Sequence, residues 1–77
     1  MDWKPVQSSN LALVGFDPDK SEMGVEFHPG KGEDNGRIYF YPDVAADEHA
    51  ALMNAPSKGA HFHQNFVKPG RPFTRIR

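Results

Sequence analysis

The chain has 77 residues, a net charge of −1 and no cysteine. That length allows one domain near the lower limit for folding without staples, and the missing cysteines exclude a disulfide framework and a thiolate zinc site while fitting a reducing compartment. The longest apolar run, Leu11 to Phe16, is far too short to cross a membrane. The start Met1-Asp2-Trp3-Lys4-Pro5 lacks the basic-then-apolar pattern of a signal peptide, so a cytoplasmic protein without a membrane partner is expected.

Trp3 precedes Pro5 in a short lead, and its indole is expected to cover an edge of the core. Gln7-Ser8-Ser9-Asn10 collects side chains that bond to their own backbone, which marks a turn. Leu11 to Phe16 then reads as a first strand, almost continuously apolar, with Gly15 signalling a bulge or a close backbone approach. Asp17-Pro18-Asp19-Lys20-Ser21 is a turn in which Pro18 presets φ and Asp17 accepts from a later N–H. Met23, Val25 and Phe27 alternate with Gly24, Glu26 and His28, the period-two signature of a half-buried second strand. An antiparallel hairpin joins the two.

Residues 29–36 contain three glycines, a proline and three charges, which predicts an exposed, mobile loop. Its Gly-rich composition does not make a phosphate loop, because the spacing is wrong and no hydroxyl residue follows Lys31. Arg37 to Tyr41 forms a third strand of β-branched and aromatic residues. Its faces are ambiguous: either Ile38 and Phe40 or Tyr39 and Tyr41 point away from the core.

Pro42 ends that strand, and Val44 to Asn54 has the composition of a helix capped by Asp43, with His49 at its apolar rim. Pro56 stops the helix and Ser57 caps the next, in which Gly59, Phe62, His63 and Phe66 fall on one face. Two prolines keep residues 68–77 extended, and Phe73 and Ile76 are placed to pin this tail to the domain.

The charge is segregated. Residues 1–55 hold ten acidic side chains against four basic ones, while Lys58, Lys68, Arg71, Arg75 and Arg77 follow Pro56 without a single acid. Such a field can steer an anionic partner, although a merely solvated tail is the plainer alternative. The five cations can neutralise phosphates, and Tyr39 and Phe73 can stack on bases. Covalent catalysis has no cysteine to use, the serines sit at turns or caps, and no carboxylate occupies an apolar pocket. The four histidines lack metal-ligand spacing; His61 and His63 flank Phe62 and diverge on a helix. Neither an enzyme, a metal nor a cofactor is expected.

Several segments carry a resemblance. Ser8-Ser9-Asn10, Val14-Gly15-Phe16-Asp17, Val25-Glu26-Phe27, Tyr39-Phe40-Tyr41 and Leu52 to Phe62 together resemble the KTSC domain. That domain is found appended to some lysyl-tRNA synthetases and as stand-alone bacterial and phage proteins. His61 stands where the family usually has an aromatic residue, and the loop over 29–36 is longer than usual. The resemblance implies a meander followed by two helices, no established catalytic residue, and a link to RNA or the translation machinery.

The expectation is therefore a single α+β domain over residues 1–77. It has a three-stranded antiparallel meander, two helices on one face and a basic tail over 68–77. Its expected role is non-enzymatic binding of RNA or single-stranded nucleic acid through Lys58, Lys68, Arg71, Arg75, Arg77, Tyr39 and Phe73. The alternative is a protein-interaction module, such as a phage or mobile-element accessory acting on a host protein.

Overall fold

Alternation in the second predicted strand sets the frame. In the computed structural model, which describes residues 1–77, the chain forms one antiparallel sheet of five strands. They are β1 (Asp2–Pro5), β2 (Leu11–Asp17), β3 (Glu22–Phe27), β4 (Ile38–Tyr41) and β5 (Thr74–Arg75), adjacent in that order. Two helices, α1 (Ala46–Asn54) and α2 (Lys58–Phe62), follow β4, and α2 runs on into a π-helical turn over His63–Val67. The α+β class is as expected, but the sheet has five strands where three were predicted. The added strands are the two ends of the chain. Neither has a periodic apolar pattern of its own; each is held by backbone pairing to a neighbour that the sequence does specify.

Leu11, Val14 and Phe16 of β2 and Met23 and Val25 of β3 are buried on one face. A register shift between Leu11 and Leu13 lets Leu11 and Val14, three apart, share that face. The bulge thus lies at the start of β2 and not at Gly15. Cross-strand partners Met23–Tyr41 and Val25–Tyr39 carry the same face onto β4. Tyr39 and Tyr41 therefore face the helices, and Ile38 and Phe40 the other side, which resolves the ambiguity of this strand.

The opposite face is built around a row of directly paired residues: Trp3, Gly15, Gly24 and Phe40. Trp3 reaches across both glycines towards Phe40, their ring centroids 6.2 Å apart. A Cβ on Gly15 would meet Trp3 Cδ2 at 2.7 Å, and one on Gly24 would meet Trp3 Cη2 at 2.5 Å. The close approach expected at Gly15 is real, and what approaches is the indole. Trp3 thus covers the face away from the helices, not an edge of the main core.

Between β2 and β3, Asp17 Oδ1 accepts from the N–H groups of Asp19 and Lys20, as the turn chemistry predicted. Ser21 adopts φ of 51° and its carbonyl accepts from the Val44 N–H, which ties the turn to the approach of α1. The predicted helix start is two residues early. Val44 is fully buried ahead of the helix, Ala45 is the N-cap, and Asp43 lies in the left-handed region at φ of 57° and does not cap. Glu48 replaces the missing cap by accepting from the Ala45 N–H at 3.0 Å.

Ser57 does cap α2, its hydroxyl accepting from the Ala60 N–H at 3.3 Å. The helix then widens at His63, which keeps Phe66 on the buried side with Phe62 while His63 turns out to solvent. Ten residues, Leu11 through Phe66, form the core, closed by Tyr41 packing edge-on against Phe62 and Phe66. No helix is long and apolar enough to cross a membrane.

Candidate functional site

The tail after the π-helical turn supplies one half of the site and β4 the other. Gly70, at φ of 75°, turns the chain back, and Thr74–Arg75 pairs with β4 so that Tyr39 faces Arg75 and Phe40 faces Thr74. The tail predicted as extended from residue 68 instead turns over residues 68–70, with Lys68 still helical, and is a strand of fixed register only at Thr74–Arg75, further held by Ile76 N–H to the Ile38 carbonyl at 2.8 Å. Paired residues share a face, so Arg75 lies on the same side as Tyr39.

Tyr39 and Phe73, both predicted as binding residues, are brought into contact. Their rings stack with centroids 4.3 Å apart and planes 16° apart, and Phe73 remains 47% exposed. Phe27 continues the row, edge-on to Tyr39 at 5.0 Å. The result is an aromatic margin where the helices stop covering the sheet. Beside it is a cavity of about 350 Å³ between the tyrosines, Phe66, Arg71 and Phe73.

The five predicted cations meet different fates. Arg71 is built into the fold: its guanidinium donates to Glu48 Oε2 at 2.6 Å and to the Asp43 carbonyl at 2.8 Å, and lies 4.7 Å from the Phe66 ring centroid. Arg77 donates to the Gly36 carbonyl and to Glu26 Oε1, the latter at 3.3 Å. Lys58 donates to the Ala55 carbonyl at 3.2 Å, answering the exposed C-terminal end of α1. Lys68, at the end of the π-helical turn, and Arg75 are exposed and form no ion pair. Arg75 Nε donates to the main-chain oxygen of Arg77, which leaves its two terminal amino groups free.

Sequence reasoning passed over Arg37. Its guanidinium lies 5.8 Å from the Phe27 ring centroid, reaches the Tyr39 hydroxyl at 3.5 Å and has no acidic partner. It borders a second groove of about 350 Å³ between β3, the Ser9–Asn10 turn and α2. His28 stands there with Nε2 donating to the Ser8 carbonyl at 2.9 Å, and His63 faces the groove from the π-helical turn. The only sequence signal for this site was the placement of Arg37 and His28 at the two ends of one loop. His61 borders a different cavity, beside Glu48, so the two flanking histidines diverge as the helical spacing predicted.

Three groups have displaced protonation equilibria. Burial pushes the Tyr41 hydroxyl up, with Tyr39 adding to the shift and Arg71 opposing it. The Ala45 N–H and then Arg71 hold the Glu48 carboxyl below its ordinary range. Burial lowers His49, whose ring stacks on Phe16 at 4.5 Å; Asp2 raises it and Lys4 lowers it further. None of the three lies in the groove beside Arg37.

A five-stranded antiparallel sheet with two helices on one face, and an aromatic and basic margin where they end, defines a small α+β domain. The chain belongs to the KTSC domain family, whose model matches residues 7–68. It is 38% identical over 71 residues to an uncharacterized protein of Stutzerimonas stutzeri (strain A1501), covering 92% of each chain. Its fold is similar to the crystal structure of a KTSC domain protein from Yersinia pestis, with a TM-score of 0.78 and 28% identity, covering 99% of this chain and 97% of the other.

Proposed function

We propose that the domain binds RNA or single-stranded nucleic acid, without catalysis, along the margin formed by β4, β5 and the π-helical turn. One observation carries the reading. Phe73 is exposed and stacked on Tyr39, and Arg75 is the cross-strand partner of that same Tyr39, so an aromatic platform and an unpaired cation occur together. Bases stack on such platforms without strong sequence preference, and unpaired cations neutralise the phosphates between them. Lys68 and Arg37 extend the positive margin, whereas Arg71 and Arg77 serve the fold.

Titration of the chain with a single-stranded oligoribonucleotide at low salt tests this. Binding should weaken with rising salt, and Phe73→Ala should cost roughly 1–3 kcal/mol of affinity, the value of one base stack. Affinity indifferent to both salt and Phe73 would sink the proposal.

A protein-interaction role is the second reading. It is favoured by the exposed apolar side chains of Val67, Phe73 and Ile76 beside β5, a two-residue strand at the edge of the sheet. A partner strand added there would make binding sensitive to Ile76→Asp and resistant to nuclease. Loss of the association on nuclease treatment would count against it.

A further inference from the structure

The groove beside Arg37 adjoins the aromatic margin and shares Phe27 with it, but adds polar groups that the margin lacks. Its floor is apolar, formed by half-buried Phe27 and buried Phe62, whose rings meet edge-on at 5.8 Å. Its rim carries the exposed polar side chains of Asn10, His28, Arg37 and His63, together with exposed Pro29 and Val67. No Asp or Glu borders it, although the residues before Pro56 carry all ten acids of the chain. The cavity beside Glu48, by contrast, has a carboxylate in its wall.

Backbone geometry keeps this space available. Gly59, in the first turn of α2, forms part of the wall; a Cβ there would come within 3.3 Å of Ser8 Oγ and 3.5 Å of Asn10 Nδ2. A glycine in a helix costs about 1 kcal/mol relative to Ala, and here it permits the turn at Ser8–Asn10 to sit close against α2. His28 is held by its bond to the Ser8 carbonyl and by its N–H to the Asn10 carbonyl at 3.0 Å, which fixes the two sides of the groove relative to each other.

We propose that this groove holds one nucleoside monophosphate. The volume, about 350 Å³, falls in the range of small-molecule sites. The apolar floor offers a planar base the half-buried Phe27 ring, backed by the buried Phe62. The Asn10 amide supplies both a donor and an acceptor for a base edge. Arg37, free of any carboxylate, and His63 supply the donors for the phosphate. The nucleotide is either free or a unit of a bound strand. The inference rests on the strand-binding reading only in the second case.

Titration of the chain with adenosine monophosphate, adenosine and inorganic phosphate, followed by amide chemical shifts, tests the assignment. The monophosphate should shift Asn10, His28, Arg37 and His63, and should bind at least about tenfold more tightly than adenosine or phosphate, since base and phosphate are recognised together. Arg37→Met and, separately, His63→Ala should each weaken it without lowering Tm, both side chains being exposed. Groove amides silent to the monophosphate, or binding unchanged in both variants, would overturn the assignment.

An oligoribonucleotide arm separates this inference from the preceding one. A strand that binds through Phe73 while the groove stays silent overturns the groove assignment alone. Monophosphate in the groove with no strand binding upholds it, identifies the ligand as a free nucleotide and ends the strand reading.

Discussion

Trp3 lies so close to Gly24 that a single added carbon would come within 2.5 Å of the indole. The same carbon would meet Phe40 Cε1 at 2.8 Å, so both rings must shift to admit it. Gly24→Val should therefore displace Trp3 and destabilise the domain by about 1–3 kcal/mol, the usual range for overpacking. For a chain of this size each kcal/mol lowers Tm by roughly 4–8 °C. Thermal unfolding and tryptophan emission measure the two effects together. An unchanged emission maximum with unchanged Tm would contradict the packing described.

Arg71 should behave as a residue of the fold. Arg71→Ala removes two charge-assisted hydrogen bonds and a contact with Phe66, and is expected to cost about 1–3 kcal/mol. Arg71→Lys should recover little of this, because an ammonium cannot reach Glu48 and the Asp43 carbonyl as a planar fork does. Chemical denaturation of both variants checks the ranking.

Salt dependence distinguishes free cations from committed ones. Arg75→Ala should reduce the slope of log affinity against log salt for an oligoribonucleotide by about one. Arg77→Ala should leave that slope nearly intact, since its guanidinium is already shared between Gly36 and Glu26. Equal effects of the two substitutions would place the contact elsewhere.

Acid should weaken the fold in two stages. His49 is lowered from its ordinary 6.5, chiefly by burial, so the unfolded chain takes up its proton first and stability falls as pH drops below that value. Glu48 is lowered from its ordinary 4.5 by the Ala45 N–H and then by Arg71. Its contribution is present above that pH and is lost as pH falls through the native value. His49→Leu should flatten the first stage and Glu48→Gln the second, as read from Tm between pH 3 and 8, roughly the span over which these groups titrate.

Much of the fold was legible because local rules agreed with one another. The Met23-Val25-Phe27 alternation, the Asp17 turn, the Ser57 cap and the Phe62–Phe66 spacing each have a mechanism within a few residues. What escaped depended on partners distant in sequence. The roles of Tyr39 and Phe40 required the β3–β4 register, which a ten-residue connection over 28–37 does not encode locally. The Asp43 cap failed because Val44 is buried and donates to the Ser21 carbonyl, which shifts the helix start to Ala45 and Ala46.

For the site, the chain order placed five cations after Pro56 but could not say which of them were spent. An Arg reads the same whether it faces water or Glu48, because ion pairing between residues 48 and 71 is a long-range event. Arg37 was hidden for the opposite reason: it belongs to the acidic half by sequence, yet the sheet carries it to a groove with no acid.

By itself the sequence determined a small mixed domain, its hairpin, its two helices and its segregated charge, since propensity, alternation and capping act over short spans. Tertiary structure alone decided that the tail is a strand, that Trp3 covers the far face, and that Tyr39, Phe73 and Arg75 meet. Those outcomes follow from register and burial, which couple residues that the chain keeps dozens of positions apart.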